Sequence, residues 1–132
     1  MDYNPINISD KLLNSYFELE NLLKETLLSK KIVKNLQRGN LISVKEANDK
    51  IQKMPFWKII IDSHVDDVIG KEQFKKLSEL SRKVKALKYD IDANDDILEE
   101  QKLCYDELMK IISLLTEKNN ELRKKWKEIL IR

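Results

Sequence analysis

An all-α fold, a helical bundle with a long C-terminal heptad helix, follows from three features of this sequence. Two glycines and two prolines in 132 residues leave too little turn chemistry for a sandwich or barrel. Apolar residues recur at helical spacing from Leu12 onward. From Leu77 to Ile129 they keep one register in alternating steps of three and four, and neither Gly nor Pro follows Gly70. The length suits one structural unit. Its two parts are a helical head over 1–70 and a coiled-coil-like helix over 71–132.

Ser9 suits the N-cap of a first helix, and Asp10 in its first turn complements the macrodipole. Leu12, Tyr16, Leu19, Leu23, Leu27, Ile32 and Val33 belong to an apolar face wider than a coiled-coil seam, which predicts burial in a bundle. Gly39-Asn40 supplies the stop. Ser43-Val44-Lys45-Glu46 reads as a capping box opening a short second helix, with Val44, Ala47, Ile51 and Met54 on one side. Pro55 ends it and can open a third helix at its first position. That third segment, from Phe56 and Trp57 through Ile59-Ile60-Ile61 to Ile69, is the densest apolar patch in the chain, and Gly70 closes it.

The last helix, from about Lys71 to Arg132, would extend roughly 90 Å if continuous. Its weakest stretch is Asp90–Asp96, yet the register survives there, predicting continuity or a local distortion. Thirteen of its sixteen seam positions are apolar, a stripe too narrow for one helix to bury alone. The partner helix must come from this chain or from another one. Leu77, Leu80, Val84, Leu87, Leu98, Tyr105, Leu108, Ile112, Leu115, Leu122, Trp126 and Ile129 are the expected contacts with a partner helix, in a homo- or hetero-oligomer. Asn94, Gln101 and Asn119 interrupt the seam; such residues either fix register from a buried position or mark a solvent-facing turn. Ile97, Cys104, Met109 and Ile111 widen the stripe, and there the first helix is expected to pack.

Charge along this helix is blocked. Lys71–Lys88 has seven basic and two acidic residues, Asp90–Glu107 one and eight, Lys118–Arg132 six and two. Folding that opposes unlike blocks is favoured over a parallel in-register dimer. The net charge of +2 carries no global nucleic-acid signal. Two local basic clusters nonetheless stand out: Lys30, Lys31, Lys34 and Arg38, and Arg123, Lys124, Lys125 and Lys127. The longest apolar runs, Ile59–Ile61 and Ile129–Ile131, are far too short for a bilayer, so no membrane partner is expected. A single cysteine and no signal-like N-terminus point to an intracellular protein, cytoplasmic or nuclear.

No catalytic constellation is legible. His64 and Cys104 are single and fall on different helices. Asp62, His64, Asp66 and Asp67 could ligate a metal in principle, but acidic residues on adjacent turns are more simply a solvated surface. Asp90–Asp95 begins like a calcium loop, yet Asp95 occupies the position that needs Gly, and Gln101 the position that needs a bidentate Glu. The expectation is a non-enzymatic helical assembly subunit without metal or cofactor.

The stretch Ile51-Gln52-Lys53-Met54-Pro55-Phe56-Trp57, with His64 seven residues after the Trp, resembles part of the nucleosome assembly protein (NAP/SET) family. Gly70 and Glu72-Gln73-Phe74-Lys75-Lys76-Leu77 extend the resemblance over about residues 34–83. It implies a histone chaperone dimerising through a long helix, with histones as partners. That family has one residue between the Pro and the Phe, then builds an antiparallel sheet and usually carries an acidic tail. Here Pro55 directly precedes Phe56, a heptad helix follows, and the C-terminal segment is basic.

Overall fold

The computed structural model describes residues 5–88 and 95–131, with side chains over 10–84 and 99–130. It contains α1 Pro5–Gln37, α2 Val44–Lys53, α3 Phe56–Val65, α4 Lys71–Lys88 and α5 Asp95–Ile131, with no strand among the described residues. The all-α bundle predicted from glycine and proline scarcity is what forms.

Local sequence sets most of the boundaries. Helix α1 starts at Pro5, ahead of Ser9, because proline's fixed φ and missing N–H fit a first helical turn. It ends where Gly39 adopts φ 74°, with Asn40 N–H bonding the Asn35 carbonyl and Gly39 N–H the Leu36 carbonyl. This is the Schellman pattern, and it satisfies carbonyls the helix end leaves open. Ser43 caps α2 by accepting from the Glu46 N–H at 3.3 Å. Pro55 sits one position earlier than expected, as the N-cap of α3. Gly70 does not close α3. The helix ends at Val65, Asp67 takes the left-handed turn (φ 59°), and Val68 N–H returns to the Ser63 carbonyl at 2.8 Å. Gly70 instead precedes α4, where its N–H is held by the Gln73 side chain at 3.0 Å.

Helix α1 is the hub, touching each of the other four helices and pairing longest with α5. Leu19, Leu23 and Leu27 are wholly enclosed, and Thr26, Ser29, Ile32 and Val33 are also buried, so α1 is covered on several sides. Each enclosed leucine contributes about 2 kcal/mol of apolar burial. Thr26 satisfies its hydroxyl on the Leu22 carbonyl at 2.7 Å, which lets a polar side chain lie in this interior.

Cross-helix contacts give each direction. Ser15 meets Met109 and Ser29 meets Asn119, so α1 and α5 run parallel. Tyr16 packs edge-on against Phe56, while Lys31 and Lys34 reach Asp66, so α3 also runs with α1. Helix α2 must return between them. Helix α4 runs the other way, because Phe74 stacks on His64 and Ser81 bonds the Tyr16 hydroxyl. The order is up, down, up, down, up.

Residues 71–132 are not one continuous helix: Lys76 Nζ lies 3.6 Å from Glu107 Oε2, whereas a single helix would separate them by about 46 Å. Helices α4 and α5 are antiparallel neighbours, and the connection, 89–94, lies outside the described residues; Asn94 and all of the calcium-like Asp90–Asp95 except Asp95 fall in it. The physical reason is in the charge blocks, since this arrangement lays the basic stretch of α4 beside the acidic start of α5.

Candidate functional site

The heptad seam meets its partner inside the chain. Leu77, Leu80 and Val84 from α4 join Leu108, Ile112 and Leu115 from α5 in one core cluster with Leu12, Leu19, Leu23 and Leu27 of α1. Tyr105 packs at its edge, Leu122 is buried further along α5, and Trp126 and Ile129 are partly buried near the helix end. The side chains of Leu87 and Leu98 lie outside the described residues. Cys104 and Ile111 join this cluster as predicted, while Met109 stays at its exposed margin beside Ser15; the Ile97 side chain lies outside the described residues. The seam face assigned to a partner chain is therefore occupied by α1. Another chain could reach Leu108, Ile112 and Leu115 only by displacing that helix. Two of the seam's polar positions are buried as well. Asn119 Oδ1 accepts from the Ser29 hydroxyl at 2.9 Å, a bond that sets the register of α5 on α1, and Gln101 is enclosed.

Among the described residues, one unpartnered apolar stripe lies on α3. Ile59, Ile60 and Ser63 turn inward and are buried. Trp57, Ile61 and Val65, at i, i+4 and i+8, form a single outward stripe with exposures of 64, 42 and 70%. Lys58 and Asp62 flank it on the helix surface. Of the two adjacent aromatics that open this apolar segment, Phe56 packs inward against Tyr16 and Trp57 faces out. The available signal was an excess: a ten-residue helix holding Phe56, Trp57, three isoleucines and Val65 has more apolar surface than one face can bury.

No known protein family, curated protein or solved structure matches this chain.

The residues that carry the NAP/SET resemblance occupy one side of the bundle. Ile51 is buried, Pro55 caps α3, Trp57 is exposed, and His64 stacks on Phe74 with ring centroids 4.8 Å apart. Where that resemblance implies a sheet, the chain continues into α4.

His64 and Asp66 are engaged structurally. His64 Nδ1 donates to the Ile69 carbonyl at 3.4 Å, helping to fix the turn into α4. Burial pushes the Cys104 thiol up; Lys83 opposes this, and Glu100 and Glu107 add to it. Burial alone would raise Asp66, but its bonds to Lys34 (3.1 Å) and Lys31 (3.3 Å) outweigh this and hold the carboxyl below its ordinary value. Asp66 therefore pins the end of α3 to α1. Among the described residues, no three His, Cys, Asp or Glu side chains stand close enough to hold a metal ion. Between α4 and α5 a cavity of about 300 Å³ has Cys104 and Leu80 among its lining and mixed charges on its rim.

Proposed function

We propose that this chain is a non-enzymatic helical protein-interaction subunit whose docking face is the α3 stripe of Trp57, Ile61 and Val65. The observation that carries this reading is three large apolar side chains left outward on a helix whose other face is already buried. Solvated helices normally present polar residues there, and a contiguous apolar patch marks a contact surface. An exposed tryptophan at its end is the residue type that most often dominates binding energy. The fitting occupant is an amphipathic helix of a partner protein, laid along α3 with apolar residues every three or four positions. Lys58 and Asp62 beside the stripe would set its orientation through charge.

The test is quantitative affinity purification from the source cells with the full chain and a Trp57→Glu/Val65→Glu variant. Both positions are exposed, so the variant should keep its helical content and melting temperature within small limits. The expected result is a stoichiometric partner protein held by the native chain and lost from the folded variant. Identical bound proteins with both chains would refute the assignment.

A further inference from the structure

Parallel packing of α1 and α5 brings together two basic clusters that are about 90 residues apart in sequence. The last turn of α1, Leu36 and Gln37, shares a cleft with Lys125, Glu128 and Ile129 of α5, and Val44 at the start of α2 shares another with Arg123 and Trp126. One end of the bundle thus carries Arg38, Lys45, Arg123, Lys124, Lys125 and Lys127, all exposed. Within the described residues, none of these six cations is in an ion pair. This contrasts with Lys31 and Lys34, which Asp66 neutralises, and with Lys76, which meets Glu107. The same end exposes aliphatic tips. Leu41, in the loop after Gly39, is 99% exposed, and Leu130 near the end of α5 is 61% exposed.

We propose that this end docks onto an anionic lipid surface, with the cations facing the headgroups and Leu41 entering the interface. Basic residues alone would suit any polyanion. The aliphatic tips decide between the classes, because a leucine at a loop tip gains by leaving water for acyl chains, whereas phosphate backbones offer it nothing. Single-stranded nucleic acid would call for exposed aromatic platforms, and the aromatic at this end, Trp126, is partly buried with its Nε1 enclosed. The attachment proposed is peripheral, through this end of the bundle; no helix among the described residues is long and apolar enough to cross a membrane.

Co-sedimentation of the full chain with phosphatidylcholine vesicles, with and without phosphatidylserine, tests this. Binding should require phosphatidylserine and fall with added salt. Near-surface basic residues contribute about fivefold each, so Lys124→Ala/Lys125→Ala/Lys127→Ala should weaken binding on the order of a hundredfold. Leu41→Ser should weaken it several-fold while leaving helical content unchanged. Three results would overturn the proposal: no binding to anionic vesicles at low salt, full binding by the folded Leu41→Ser variant, or tighter binding to an oligonucleotide than to the vesicles.

Discussion

Asp66 is the residue whose chemistry reports most directly on the packing of α3 against α1. Its carboxylate is shared by Lys31 and Lys34, and its pKa in the folded chain is lowered in consequence. A group with a depressed folded pKa stabilises the fold above its unfolded value and loses that contribution as pH falls through the folded value. Asp66→Asn should therefore lower stability at neutral pH, and its deficit relative to the native chain should shrink below about pH 4. Urea midpoints of both proteins between neutral and acid pH check this; a deficit independent of pH would mean the two lysines do not act through the ionised carboxylate. The residue scale also shows where sequence was a sound guide. Gly39, Ser43 and Pro55 fall at or within one position of their expected roles, because capping and turn conformations depend on a few adjacent groups. Asp67 was not legible as a turn residue, since nothing local distinguished it from Asp66.

At the scale of elements, the decisive contrast is between the inner seam of α5 and the outer stripe of α3. Both are apolar stripes at helical spacing, and periodicity alone cannot say which one finds a neighbour. Leu108 is fully enclosed among α1 and α4 residues, so Leu108→Ala should destabilise by about 2–5 kcal/mol. Trp57→Ala, although it deletes a larger side chain, should cost markedly less, about 1 kcal/mol, because nearly two-thirds of Trp57 is already in water. Chemical denaturation of the two variants tests the assignment. Comparable losses from both would mean that Trp57 is part of the core. Two burial assignments were incomplete for a physical reason. Heptad register records which side chains are apolar, not which helix covers them, so α4 and α5 could keep one phase while running in opposite directions. The apolar density of Ile59-Ile60-Ile61 likewise hid a division between inward Ile59 and Ile60 and outward Ile61.

For the whole molecule, charge placement and topology agree. The antiparallel α4–α5 pair opposes basic and acidic blocks, as the sequence favoured, and Lys76–Glu107 is the resulting contact. The parallel α1–α5 pair does the opposite, collecting like charges at one end around Arg38 and Lys124–Lys127. A surface of this kind is tolerated because it is exposed and screened. The chain therefore divides its surfaces: a core closed by its own seam, an apolar face on α3, and a basic end. Everything in the functional reading depends on the seam being satisfied within one chain. The direct measurement is disulfide formation in a Ser29→Cys/Asn119→Cys variant made in a Cys104→Ala background, because those two side chains are hydrogen-bonded across α1 and α5. A cross-linked monomer is expected on non-reducing gels at every protein concentration. A cross-linked dimer whose yield rises with concentration would contradict it, and would return the seam to a partner chain.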